Sequence, residues 1–261
     1  MHTMLAFSAR HLASLHPERS DTYQHLAVTL QTQGITHFNA FLKVSDVNQS
    51  NCVAVLGFSS ALGHHLLADI LAVRDPGGLP AFIVHCVRCM EMNRGIYMIA
   101  KTAWPLLMGT ELQSILLRSS EFTSRRPRGS HCDEVRQLVD GSRELPESDK
   151  LACRVAIRYL QIGFDAILDD EEECGYRYQM IFSWSMLASP EFTSLLASRG
   201  PEVSIILAYY ALLLHFGRSM WQVGDAGRRI LGMISDYLAV EWQHWLDYPK
   251  AMMAGSSGPA S

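Results

Sequence analysis

Apolar residues in this 261-residue chain recur at spacings of three and four and almost never alternate strictly, which predicts helices throughout and argues against a sheet. The strongest segment lies near the C-terminal end. Between Pro201 and Gly217, the residues Val203, Ile205, Ile206, Leu207, Ala208, Ala211, Leu212, Leu213, Leu214 and Phe216 leave almost no polar face. A helix that is apolar all round is buried on every side or lies in a membrane. This run is shorter than the roughly 20 residues that span a bilayer, and it contains Tyr209, Tyr210 and His215. It is therefore expected to be the central helix of a soluble core. Pro201 suits a first helical position, where its missing N–H would be unpaired anyway, and Gly217 suits a left-handed C-terminal cap. After an interruption at Trp221, Gly224 and Gly227, the stripe Ile230, Leu231, Ile234, Tyr237, Leu238, Trp242 and Trp245 predicts one long amphipathic helix that Pro249 ends.

Upstream, Leu5, Ala9, Leu12 and His16 share a helix face that Pro17 stops. A second helix is expected from Ser20 or Asp21 through Leu26 and Leu30 to Leu42, and a third over about 49–73. Asp75-Pro76-Gly77-Gly78 reads as a turn. Residues 79–99 predict another helix, Trp104-Pro105 a break, and 111–117 a short helix. Over 119–150 the composition shifts to Ser, Arg, Glu, Pro and Gly, the mark of a mobile surface excursion. Helix is expected again over 151–168 and 176–187, and 254–261 reads as a disordered small-residue tail. No repeat of fixed period is visible, and the expectation is one domain over 1–261.

Charge changes this picture by what it disfavours. The net charge is −4, and the only basic cluster is Arg125-Arg126-Pro127-Arg128, whereas phosphate backbones are held by a concentrated basic face. Direct nucleic-acid binding is therefore not expected. Hydrophobic residues make up 48% and charged residues 18%, which leaves a thinly charged surface on which an apolar groove or partner face is plausible. The N-terminal residues lack the basic start and apolar run of a secretory signal. No transmembrane segment is expected, and the six cysteines are expected to be reduced thiols of an intracellular protein, cytoplasmic or nuclear.

Candidate chemistry is sparse. Asp169-Asp170-Glu171-Glu172-Glu173 fits the aspartate-rich pattern by which terpene cyclases hold magnesium, since hard cations prefer carboxylate oxygens, but the second metal motif is missing and a solvated helix end is the expectation. Cys86 and Cys89 have the spacing of half a zinc site without a second pair, and read as core thiols. Gly57 to Gly63 falls short of a nucleophile elbow, and no phosphate loop or dinucleotide fingerprint occurs. No metal site and no cofactor is expected. His11, His64, His65 and His215 read as satisfied core histidines, and the methionines of the C-terminal third suit either packing or a pocket for a bulky lipophilic ligand.

One resemblance is carried by the order of motifs in the last third. Pro190-Glu191-Phe192, then Arg199-Gly200-Pro201-Glu202, the run Ile206 to His215, a turn from Trp221 to Gly224, and a close on Trp242, Leu246, Tyr248 and Pro249 resemble the effector domain of fungal zinc-cluster transcription factors of the sterol uptake control protein type. The segments from Leu5 to Pro17 and from Asn51 to Leu62, and Arg94-Gly95 followed by Trp104, resemble upstream helices of that family. The zinc cluster and linker that precede the first helix there have no counterpart in this sequence.

The resemblance implies an all-α fold, a single array of packed helices around an apolar pocket for a sterol. Carried across by position, Trp184, Met186, Tyr209, Tyr210, Leu213, Met220, Trp221 and Gly224 would line it, with His11 facing them. The expected function is a stand-alone domain that binds a lipophilic small molecule, a sterol, terpenoid or polyketide, without DNA binding of its own. Two alternatives belong to other classes. One is a cofactor-free cyclase that uses the same pocket. The other is a truncated regulator, or one that works as a homodimer or with a DNA-binding partner protein.

Overall fold

The computed structural model describes residues 1–74, 76–169 and 176–255, and among them are thirteen α-helices and no strand. In chain order these are α1 (His2–Leu15), α2 (Ser20–Val44), α3 (Cys52–Ala72), α4 (Gly78–Thr102), α5 (Trp104–Leu107), α6 (Gln113–Ser124), α7 (Asp133–Gly141) and α8 (Glu147–Phe164). A π-helical turn, Asp165–Asp169, extends α8. Then come α9 (Gln179–Leu187), α10 (Pro190–Ser198), α11 (Pro201–Phe216), α12 (Ala226–Tyr237), a 3-10 segment (Val240–Leu246) and α13 (Asp247–Gly255). The all-helical expectation holds. The chain divides into two compact units, Met1–Asp69 with Met92–Arg118, and Ile70–Glu91 with Ser119–Ser261.

In the first unit α1 lies along α2 through small residues. Ala6, Ala9 and Ala13 are buried, and Gly34 of α2 comes so close to α1 that a Cβ there would stand 2.8 Å from the Thr3 hydroxyl. Phe38 stacks on Phe58 with ring centres 4.0 Å apart. A separate apolar cluster joins Cys52, Ala103 and Leu107, with Val53 and Leu56 packed against it. Asp69 receives Arg10 at 2.8 Å and faces buried His65 at 3.4 Å. Helix α3 is long and apolar enough to cross a membrane by length and composition, with one third of its most apolar window (33%) buried.

The second unit is organised around α11. Every residue from Glu202 to His215 is buried, so the apolar run lies in a core of α7, α8, α9, α10, α12 and α13 rather than on a surface. Helix α12 crosses α11 with no side chain between the backbones at Gly227, where a Cβ would stand 2.6 Å from the His215 nitrogen. Ser189 caps α10 by accepting the Phe192 N–H, and Pro190 fills the first helical position.

Several local expectations are corrected. Gly217 is not a left-handed cap, with φ −88°; it is small because a Cβ would stand 2.6 Å from the Met220 methyl. Left-handed conformations in this region fall instead at Arg199, φ 60°, which closes α10, and at Gly224 in the turn before α12. The expected long terminal helix is broken after Tyr237, where Leu238 is extended and the Gln243 amide donates to the carbonyls of Ser235 and Leu238. Pro249 does not end a helix but lies in the first turn of α13, where no intrahelical acceptor awaits its nitrogen. The stretch 119–150 is not one long excursion. It holds the end of α6, all of α7 and the start of α8, with Val135, Leu138 and Val139 buried. The acidic run lies outside the described residues except for Asp169. Of the expected tail, Ala254 and Gly255 close α13 and 256–261 lie outside the described residues.

Candidate functional site

The polar groups of the second unit converge where α8 widens into its π-helical turn. An extra residue per turn brings Asp165 and Asp169 to the same loop, that between α6 and α7. Asp165 is buried and its carboxylate accepts the N–H groups of Arg128 (2.8 Å) and Gly129 (3.0 Å) and the Gln161 amide (2.6 Å). Gln161 in turn accepts the Cys132 N–H at 2.8 Å. Gly129 leaves room for this, since a Cβ there would stand 2.7 Å from the Asp165 carboxylate. The loop is thereby fastened on both sides of His131.

His131 bridges two side chains. Its Nε2 faces the Asp169 carboxylate at 3.4 Å, and its Nδ1 is 2.7 Å from the Tyr248 hydroxyl. The carboxylate favours the tautomer with the proton on Nε2, which leaves Nδ1 to accept the Tyr248 O–H. The Tyr248 ring stacks on that of Tyr209, with centres 5.7 Å apart and planes 13° from parallel. Burial, and then the neighbouring Cys132, Glu134 and Asp169, push the Tyr248 phenol up to about 12. The Tyr209 phenol is likewise held well above its ordinary range, first by burial and then by Glu134, Cys132 and Tyr248. Both are neutral hydrogen-bond donors at physiological pH.

Tyr209 is fully buried, and its hydroxyl has no hydrogen-bond partner among the described residues. An unpaired buried polar group costs about 1–3 kcal/mol. The neighbouring Tyr210 shows the usual solution, donating to the Ile181 carbonyl at 2.7 Å. An arrangement of this kind can offer a phenol to an oxygen atom that arrives with a ligand.

The residues expected from the sequence to line a pocket are only partly brought together. Trp184 and Tyr210 stack with centres 4.4 Å apart, the indole N–H donating to the Ala156 carbonyl, so both are satisfied members of a packed core. Leu213 is buried beside Gly163. Met186 is half-buried on α9, and Met220 and Trp221 are half-buried in the turn after α11. Gly224 is a turn residue with φ +49°, a conformation that suits glycine, and a Cβ there would meet nothing within 4 Å. His11 belongs to the first unit, on α1, and is half-buried. Sequence reasoning missed His131, Asp169 and Tyr248. His131 stood in the supposed excursion, Asp169 in the acidic run, and Tyr248 beside a proline taken for a helix stop.

Burial holds the thiols of Cys86, Cys132 and Cys153 above their ordinary range. Burial, and then Cys89, push the Cys86 thiol up to about 12, which is chemistry of a core residue rather than of a nucleophile. His215 is buried on α11 and its pKa is lowered, first by burial and then by Arg218 and Arg228. No protein-family model, no curated protein and no solved structure matches the chain.

Proposed function

We propose that the second unit binds a lipophilic small molecule of the sterol, terpenoid or polyketide kind, through a carbonyl or hydroxyl oxygen that takes the hydrogen bond of Tyr209, and that the chain does not bind DNA by itself. The observation that carries this reading is the Tyr209 hydroxyl, buried without a partner among the described residues in the middle of an apolar helix. A phenol kept at that cost is explained when a ligand completes it, in the way that functional sites elsewhere retain destabilising groups. The low charged fraction and the net charge of −4 support the remainder.

The cofactor-free cyclase is the second reading, and the Asp169, His131 and Tyr248 chain favours it. That chain fixes the Tyr248 ring on which Tyr209 stacks, and the neutral Tyr209 phenol, the one with its O–H unspent, could hydrogen-bond a substrate carbonyl and lower the barrier to ring closure without any cofactor.

Tyr209→Phe tests the binding reading by the sign of its effects. It should stabilise the ligand-free protein by about 1–2 kcal/mol, because an unpaired hydroxyl is removed, and should abolish most of the ligand-induced rise in melting temperature. A variant that is less stable than the parent, or that keeps the full rise with sterols, terpenoids and polyenes, would show that the hydroxyl is satisfied within the protein and does not serve a ligand. Recovery of a polyene as a ring-closed isomer, faster than in buffer and slowed by Tyr248→Phe, would establish the cyclase reading instead.

A further inference from the structure

A cleft lies at the N-terminal end of α11. Its volume is about 320 Å³, and it is lined by Leu138, Arg143, Glu144, Glu202, Trp242 and Trp245, among others. Its aromatic wall comes from the 3-10 segment. At three residues per turn, Trp242 and Trp245 fall on one face, one above the other. Neither indole N–H has a hydrogen-bond partner among the described residues, so both remain available to what enters.

The inner charge of the cleft is Glu202, which is 5% exposed. It lies in the first turn of α11, where the helix dipole favours a carboxylate. The Ser142 hydroxyl is oriented by the N–H groups of Glu144 and Leu145, which it accepts, and it donates to Glu202 Oε1 at 2.7 Å. The other oxygen, Oε2, has no hydrogen bond or ion pair among the described residues. Arg143 and Glu144 are exposed, so the lining as a whole carries two carboxylates against one guanidinium.

We propose that this cleft binds a small molecule bearing a methylated ammonium group, with the cation between Glu202 and the indoles of Trp242 and Trp245. A buried carboxylate with an unfilled oxygen attracts a cation, and indole is the aromatic surface that attracts cations most strongly. A primary ammonium brings three donors, and the inner end of the cleft offers it one unfilled carboxylate oxygen. A methylated ammonium needs contact and negative potential rather than acceptors, and that is what two indoles and one carboxylate supply. The volume lies at the small end of the range for ligand sites, roughly 300–1,000 Å³, which suits a molecule of choline's size.

The test is calorimetric titration of the full chain with choline, with its uncharged carbon isostere neohexyl alcohol, and with the matching carboxylate tert-butylacetate. Choline should bind at least about tenfold tighter than the alcohol, the factor that a desolvated cation–aromatic contact supplies. Glu202→Gln keeps an acceptor for Ser142; it should weaken choline by about tenfold and leave the alcohol unchanged. Trp245→Leu should weaken choline without the help of any charge change, and it serves as the deciding variant if Glu202→Gln does not fold. The indole N–H resonances of Trp242 and Trp245 should be the ones that move. Competition by phosphatidylcholine vesicles would place the recognised group on a lipid, and choline binding without it on a free molecule. Equal affinity for choline and the alcohol, tighter binding of the carboxylate, or no binding of choline at millimolar concentration would overturn the proposal.

Discussion

Helix α2 has 25 residues and buries Ala27 and Gly34 among those described, whereas α11 has 16 residues and buries fourteen. Both are continuous helices, so the difference is not one of local propensity. The α1 and α2 pair meets along a seam of alanine and glycine that leaves Leu26, Val28 and Leu42 exposed, while α11 is enclosed by six neighbouring helices. Most of the stabilisation of a helix comes from what its face buries. The two helices should therefore differ widely in resistance to opening, with α11 exchanging its amides only on near-global unfolding.

The glycines of the two regions sharpen the contrast and give the largest expected effect. Gly227→Ala would place a methyl group against the backbone of α11, which cannot yield. It should cost about 3 kcal/mol or more, measured by chemical denaturation, against an overpacking range of about 1–3 kcal/mol for sites that can relax. Gly34→Ala meets the Thr3 hydroxyl, which can turn aside, at 2.8 Å, and the Thr3 nitrogen and His2 Cβ only at ordinary contact distances of 3.4 and 3.5 Å. Because alanine is the better helix former by about 1 kcal/mol, that variant should be nearly neutral. Equal costs at the two positions would remove the basis of the comparison.

Next in size is Asp165→Asn. The buried carboxylate serves three donors, and its replacement turns an acceptor into a donor facing N–H groups. A loss of about 2–3 kcal/mol is expected from hydrogen bonds to a charged group. The loop around His131 should become susceptible to protease while α11 keeps its protection.

These devices were unequally legible in the sequence. The span of α11 could be read because Pro201 opens it and a continuous apolar run can only be buried. The end of α12 could not, because the break at Leu238 is made by a side chain, Gln243, reaching back to the helix's last carbonyls, with no glycine or proline to announce it. Gly217 and Gly224 were visible as glycines, but which one needed an unusual φ and which one needed only small size was settled by neighbours distant in sequence. The His131 and Tyr248 contact joins positions 117 residues apart. No spacing rule reaches that far, and a histidine in a polar stretch gave no sign that two carboxylates of one π-helical turn would hold its loop.

Smaller effects should follow pH, and they divide the units differently at the two ends of the scale. The Tyr248 phenol is raised to about 12 in the folded state, above the ordinary value of 10.0. Its contribution is therefore complete below pH 10 and is lost as pH climbs from about 10 to about 12. Tyr209 and Tyr210 are also raised, chiefly by burial, so alkaline loosening should begin in the second unit, and Tyr248→Phe should flatten its onset. At the acid end the folded-state values of His64, His65 and His215 are lowered from 6.5, chiefly by burial. Their contribution is present above pH 6.5 and is lost as pH falls below it, in both units. Hydrogen exchange at pH 5 and pH 11 should show this asymmetry, and alkaline loosening confined to α1 and α2 would contradict it.

The central claim is that Tyr209 awaits a ligand, and a native mass spectrum of the protein purified from its own host tests it most directly. A lipophilic adduct present on the parent protein, and absent or strongly depleted on Tyr209→Phe prepared in the same way, is the predicted result. A spectrum showing only the bare chain, or the same adduct at the same occupancy on both proteins, would contradict the account.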